Sequence, residues 1–219
     1  MTEDALDKDF WERRWQAARL GDHAAQPNRT LIESVATLPV GRALDAGCGE
    51  GADAIWLAEH GWHVTAVDFV DSALQNGRVR AERVGAEVAH RIDWRQADLS
   101  DWTPPPGSFD LVSTHYLHGI AQRDKLFERL AAAVRPGGTL LVVGHHPANA
   151  GAVGGPMPGA VFFTTDDLVA VLDKDWEIAV LDDDVRRRTA DRQGEPITLR
   201  AAMVRARRSL SRAPRAGSQ

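Results

Sequence analysis

Short apolar runs alternate along this chain with longer stretches whose apolar residues recur at helical spacing, and the alternation holds from about residue 28 to residue 208. The segments Ala43–Asp45, His63–Asp68, Ile92–Leu99, Phe109–Ser113 and Thr139–Gly144 are rich in Val, Ile, Leu and Ala and are bounded by Gly, Pro or Asp, which predicts buried strands. Between them, Leu31, Ile32, Val35 and Leu38 form one helical stripe, with Asn28 positioned to cap it and Pro39 and Gly41 to end it. Further helices are predicted from Asp53 to His60 with a stop at Gly61, and from an Asp71-Ser72 cap to about Val84. Others run from about Gln122 to Val134 and from Thr165 to Leu172. Trp176–Leu181 and Ile197–Val204 read as two last strands joined by the charged segment 182–195. A repeated strand–helix–strand rhythm predicts an α/β domain, a mostly parallel sheet with helices on both faces and right-handed crossovers.

Outside that rhythm lie three segments. Phe10-Trp11-Glu-Arg-Arg-Trp15 begins a short helix that ends near Gly21, and residues 1–27 are expected to form a lid helix and loop ahead of the main domain, 28–208. Two indoles on one helical face suit either a cover that excludes water and meets a cation by cation–π attraction, or an anchor to the domain. From Pro147 to Thr164 the chain is rich in Gly and Pro without helical or strand periodicity, which suits a loop over the carboxyl edge of the sheet or a plain surface loop. Residues 209–219 are expected to form a flexible basic tail.

Composition narrows the classes. The 219 residues suffice for one α/β domain, and with 43% hydrophobic and 26% charged residues they match an ordinary soluble protein. No apolar run approaches the ~18 residues of a membrane helix. The acidic start, Met-Thr-Glu-Asp, lacks the basic-then-apolar order of a secretory signal, so the expected location is the cytoplasm. A net charge of −5 argues against a broad nucleic-acid surface, despite Arg186, Arg187 and Arg188 and the arginines after residue 204. Cys48, the single cysteine, permits no internal disulfide, and inside a glycine-rich turn it reads as a small residue that fits.

That turn carries the chemistry. Ala43-Leu-Asp45-Ala-Gly47-Cys48-Gly49-Glu-Gly51 is a strand running into three alternating glycines and then a helix, an arrangement that lets a nucleoside-bearing ligand approach bare backbone. Gly49-x-Gly51-x-x-Ala54 alone also fits a dinucleotide fold. Asp68 closes the following strand, where a carboxylate can accept ribose hydroxyls, and Asp98 closes the next. With the acid-x-G-x-G-x-G order of Asp45, Gly47, Gly49 and Gly51, and with Phe109-Asp-Leu-Val-Ser and Arg135-Pro-Gly-Gly-Thr139 further on, the chain resembles class I S-adenosylmethionine (SAM) dependent methyltransferases. Its Phe10–Trp15 start looks like the small-molecule branch that includes thiopurine, thiol and tellurite methyltransferases.

The resemblance implies a Rossmann-like sheet of seven strands in the order 3-2-1-4-5-7-6, the last strand antiparallel, whereas an NAD fold usually ends differently. It implies SAM as cofactor, with Asp45 orienting the methionyl amine and Gly47, Cys48 and Gly49 against its main chain. Asp68 would bind the ribose, Phe69 would pack on adenine, Asp98 and Leu99 would read the adenine edge, and Trp15 would face the sulfonium. Four histidines leave the fourth and fifth strands at their carboxyl ends, which makes His115 and His146 the candidate bases. Trp11, Tyr116 and His145 are candidate acceptor contacts. No metal site is expected. The partner is expected to be a small-molecule thiol, phenol or amine rather than nucleic acid or a membrane, and the chain a monomer or weak homodimer. A SAM-binding sensor without methyl transfer and an NAD-dependent oxidoreductase are the competing readings.

Overall fold

The computed structural model describes residues 26–150, 159–190 and 196–210, so the helix expected near Trp11 and Trp15, the middle of the 147–164 loop and most of the basic tail lie outside the described residues. The described elements are α1 (Arg29–Val35), β1 (Arg42–Ala46), α2 (Ala52–Glu59), β2 (His63–Asp68), α3 (Asp71–Val84), α4 (Ala86–His90) and β3 (Ile92–Gln96). They continue with β4 (Phe109–His115), α5 (Arg123–Ala133), β5 (Val134–His145), a 3-10 turn (Pro147–Asn149), α6 (Thr165–Val169), β6 (Trp176–Ala190) and β7 (Pro196–Arg208). One sheet of seven strands runs β3-β2-β1-β4-β5-β7-β6, the order that the resemblance implies. β1 through β5 are parallel, and β7 enters antiparallel between β5 and β6.

Both faces of the central strands β1, β4 and β5 are covered, so these strands are apolar on both sides rather than alternating with polar residues. On one face Val112, Leu140 and Val142 pack against Leu126, Phe127 and Leu130 of α5 and Leu168 of α6. On the other, Leu111, Leu141 and Val143 pack against Leu31 and Val35 of α1 and Ile55 and Leu57 of α2. Successive residues of β4 and β5 therefore feed opposite cores, as the two-residue strand period requires.

Several local expectations change in the tertiary structure. Asn28 does not cap α1 with its side chain; its amide Nδ2 instead donates to Asp53 Oδ2 at 2.7 Å. Asp71 lies inside the first turn of α3 after Val70, with no side-chain cap, and it accepts from Gln75 Nε2. A short helix, α4, fills the space between Gly85 and β3. β3 stops at Gln96, which leaves Asp98 and Leu99 in the turn beyond it. The charged segment 182–190 is strand, because the backbone of β6, at the edge of the sheet, pairs with β7 as far as Ala190.

The two chain directions away from β1, first to β2 and β3 and then to β4, create a switch point between β1 and β4. In open α/β sheets the crevice at such a point, beyond the carboxyl strand ends, receives the ligand. The loops after β1 and β4 meet there: a methyl group built on Gly47 would overlap Leu117 Cδ2. Gly51 is fixed by a second contact, since its backbone is left-handed (φ 70°) and the Trp94 indole of β3 lies against its Cα. Gly51→Ala should therefore destabilise the fold by about 2–5 kcal/mol, summing ~1–2 for the left-handed backbone and ~1–3 for overpacking. Chemical denaturation measures this. A Trp94→Leu partner substitution should recover part of the loss, and strict additivity of the two would contradict the contact.

Candidate cofactor and acceptor site

The glycine loop is stitched to the end of β2. The amides of Gly47 and Cys48 both donate to the Val67 carbonyl, at 2.8 and 3.0 Å. Asp68, the last residue of β2, accepts from the Gly49 amide through Oδ2 at 2.8 Å and from the Val70 amide through Oδ1 at 3.0 Å. Those bonds fix the orientation of Asp68 against the glycine loop. Cys48 lies among these groups; burial, with Asp45 and Asp68 nearby, pushes its thiol up, so the thiolate is disfavoured and a nucleophilic role with it.

Three acids from three elements surround the loop. Asp45 of β1 and Asp53 of α2 are 3% and 5% exposed, and Asp68 is 9% exposed. Asp45 is held well above the usual carboxylate range, first by burial and then by Asp53 and Asp68, although the Ala54 N–H at the start of α2 works in the opposite sense. Its Oδ2 is buried and meets no hydrogen-bond donor among the described residues. A buried carboxylate oxygen without a donor, between two further acids, fits a cationic group of a ligand; an ammonium would satisfy it.

His115, the last residue of β4, faces the same cluster. Its Nδ1 lies 3.2 Å from Asp53 Oδ2, with side chains only 5% and 7% exposed. This is a close approach rather than a formed hydrogen bond, since neither ring nitrogen reaches hydrogen-bonding geometry with a described residue. Burial lowers the pKa of the imidazole and Asp53 pulls it back up, the burial effect being larger. Asp53 in turn accepts from the Asn28 amide N–H at 2.6 Å and from Asn28 Nδ2.

The next residue, Tyr116, has φ 52°, the one positive value at a non-glycine among the described residues. An aromatic side chain in that region is strained, and such strain concentrates at binding sites. It turns the chain so that Tyr116 meets His145 with ring centroids 5.1 Å apart, while His118 and Phe162 lie 5.3 and 6.1 Å from the same imidazole. The segment from Gly159 to Phe163 is clipped over both strand ends: the Gly119 amide donates to the Gly159 carbonyl, Val161 to Leu117, and Phe163 to His145. The far end of the 147–164 loop thus does run across the carboxyl edge.

The remaining candidates divide. Leu99 is buried beside Leu117 and the glycine loop, and Arg129 of α5 grips its carbonyl at 2.6 Å and that of Ser100 at 3.1 Å. Asp98 is exposed and turns one oxygen onto the Ser100 amide at 2.7 Å. Phe69 is half-buried, its carbonyl held by Gln96 Nε2. His146 is the residue that departs most from expectation: its Nδ1 accepts from the Ala148 amide at 3.0 Å and caps the 3-10 turn. Trp11 and Trp15 lie outside the described residues. Asp53, Leu117, Phe162 and Arg129 are the site residues that sequence reasoning did not single out; Asn28 entered it only as a helix cap, and His118 only as one of the four histidines at the strand ends. Asp53 looked like an ordinary acid in a helix's first turn, and only its pairing across α1 and β4 distinguishes it. Among the described residues no cluster of three or more His, Cys, Asp or Glu side chains could hold a metal ion.

Comparison with known proteins finds methyltransferases. Residues 43–138 match the family described as "Methyltransferase domain". Trans-aconitate 2-methyltransferase of Rhizobium meliloti (strain 1021) is 34% identical over 129 residues, which are 58% of this chain and 47% of that protein. The chain thus spans about half the length of that relative. Thiopurine S-methyltransferase of Azotobacter vinelandii is 28% identical over 201 residues, 81% of this chain and 87% of that protein. Magnesium protoporphyrin IX methyltransferase of Synechocystis PCC 6803, solved with bound SAM, superposes with a TM-score of 0.64 at 19% identity, covering 95% of this chain and 98% of that one. The sheet order excludes the usual ending of an NAD fold. Residues 43–138 accordingly resemble a methyltransferase domain, and the chain has the fold of the SAM-bound methyltransferase on which it superposes.

Proposed function

We propose that the protein transfers a methyl group from SAM to a sulfur, oxygen or nitrogen of a small molecule. The observation that carries this reading is the buried, donor-less oxygen of Asp45 beside a bare glycine turn, with His115 facing the same acid cluster. Asp45 receives the methionyl ammonium, and the Gly47–Gly49 backbone lies along the cofactor's main chain. Asp68 takes the ribose, Phe69 and Leu99 flank the adenine, and Asp98 accepts from its amino group. The bound cofactor supplies an electrophilic methyl on a sulfonium whose charge disappears on transfer, so the protein has no oxyanion to stabilise. Its tasks are alignment and exclusion of water, which can account for ~7–11 kcal/mol of the barrier.

On the acceptor side, Tyr116, His118, His145 and Phe162 form a wall of rings that suits a planar or partly apolar acceptor. His115 is the base that takes the acceptor's proton. The pairing of His146 with the 3-10 turn favours His115 over His146 in that role. A net charge of −5 favours a free small molecule over nucleic acid. Incubation with SAM and a panel of thiols, phenols, amines and carboxylic acids should give a product heavier by one methylene, read by mass spectrometry. Binding of SAM with no product from any acceptor class would overturn the transfer reading.

Asp45 also makes a pH prediction. In the free protein burial and its acidic neighbours keep its pKa raised, so it holds its proton above the usual carboxylate range. A group whose folded pKa is raised contributes stability at low pH that is lost as pH climbs through the raised value. A cationic ligand favours the ionised carboxylate, so binding should expel the proton. SAM affinity should therefore rise with pH from the carboxylate range to about 7, below the ~7.7–8.0 of an α-amino group. Calorimetry in buffers of different ionisation enthalpy should detect proton release. Proton uptake on binding would contradict the placement of Asp45.

A further inference from the structure

We infer that Asp53, clamped by Asn28, is a positioning residue that holds the His115 imidazole as the Nδ1–H tautomer and so leaves Nε2 as the proton acceptor. The inference rests on the reading of His115 as the base and deepens it.

The geometry runs through three elements. Asn28, immediately before α1, commits both its main-chain N–H and its side-chain amide to Asp53, at 2.6 and 2.7 Å. Two donors on one carboxylate fix its plane and its rotamer, at a position 5% exposed where it cannot reorient freely. The oxygen that accepts from Asn28 Nδ2 is the one 3.2 Å from His115 Nδ1. A carboxylate oxygen offers only acceptor lone pairs, so the ring nitrogen facing it is favoured when it carries the hydrogen. In a neutral imidazole the other nitrogen is then a lone pair. His115 Nε2 is that atom, buried and without a hydrogen-bond partner among the described residues. Such an unsatisfied acceptor costs stability and persists where a ligand supplies the donor. Its position at the carboxyl end of β4, next to the strained Tyr116, puts it at the switch-point crevice. Burial, which works against the charged ring, keeps the resting imidazole neutral and available.

The balance of the step is simple. The acceptor's X–H proton passes to Nε2, the X–C bond forms as the S–C bond breaks, and the bonding pair stays on sulfur to give S-adenosylhomocysteine. Imidazolium with Asp53 is then an ion pair, which returns its proton to water after product leaves. Asp53 is the acid that favours the imidazolium.

The full chain labelled with 15N tests this by two-bond 1H–15N correlation, with and without S-adenosylhomocysteine. The expected spectrum has a protonated Nδ1 and a pyridine-like Nε2 for His115. In Asp53→Asn that single pattern should give way to a mixed or reversed tautomer, with kcat on the acceptor found in the panel lowered by about 10²–10⁴-fold. The KM for SAM should hardly move. A protonated Nε2 in the unmodified chain, or an unchanged tautomer in Asp53→Asn, overturns the inference even if that variant folds poorly. Calorimetry of S-adenosylhomocysteine on the same sample separates the outcomes: absent binding refutes the cofactor reading, while the ligand-free spectrum still judges the Asp53–His115 pair.

Discussion

Asp68→Ala should lose roughly 30-fold to several thousand-fold in SAM affinity, the equivalent of the ~2–5 kcal/mol typical when one partner of a buried, hydrogen-bonded charged contact is removed. Two effects add. The ribose loses its acceptor, and the Gly49 and Val70 amides that Asp68 holds at 2.8 and 3.0 Å lose theirs, so the glycine turn loosens. Asp68→Asn separates the two. Its carboxamide oxygen can still accept from one amide, so the turn keeps part of its support while one acceptor oxygen and the charge are gone. Isothermal titration with SAM and with S-adenosylhomocysteine measures both variants, and a thermal melt confirms that each is folded. Undiminished affinity in a folded Asp68→Ala protein would remove the ribose assignment and, with it, the glycine turn as the cofactor's seat.

The second large effect is on turnover rather than binding. His115→Gln should reduce kcat by about 10²–10⁴-fold for a phenol or amine acceptor, the usual contribution of a positioned base. A thiol acceptor should suffer less, because a thiol ionises closer to neutrality. SAM affinity should be nearly unchanged, since Asp45 and Asp68 carry the cofactor in this reading. The same substitution at His146 should have little effect on chemistry, because its Nδ1 is committed to the Ala148 amide of the 3-10 turn. A His146→Gln protein as damaged in kcat as His115→Gln would reverse the assignment of the base.

The sequence and the tertiary structure divide the rest between them along a physical line. Apolar runs bounded by glycine and acid specify strands wherever local pattern and burial agree, which is why the buried centres of β1, β2, β4 and β5 are legible, although β5 begins at Val134, ahead of the expected Thr139. Alternating glycines after an acid are legible for the same reason: left-handed backbone is a local demand, and only glycine meets it cheaply at Gly47, Gly49 and Gly51. Where a neighbour competes, the local reading fails. Asn28 has the residue type and place of a helix cap, yet Asp53 across the fold takes both its main-chain N–H and its side-chain amide, charge-assisted bonds, and no side-chain cap forms. The segment 182–190 is polar enough for a loop, and pairing with β7 makes it strand.

His115 and His146 look alike in the sequence, each leaving a parallel strand at its carboxyl end. The fold separates them by what they meet: a buried carboxylate for the first, a free amide of a 3-10 turn for the second. What the sequence determined by itself, then, is the layered α/β architecture and the backbone turn for a nucleoside, because periodicity and glycine act over a few residues. Only the tertiary structure decided which polar groups share one desolvated volume, Asn28, Asp53, His115 and Asp45 among them, because desolvation and charge coupling depend on distance in space and leave no mark in residue order.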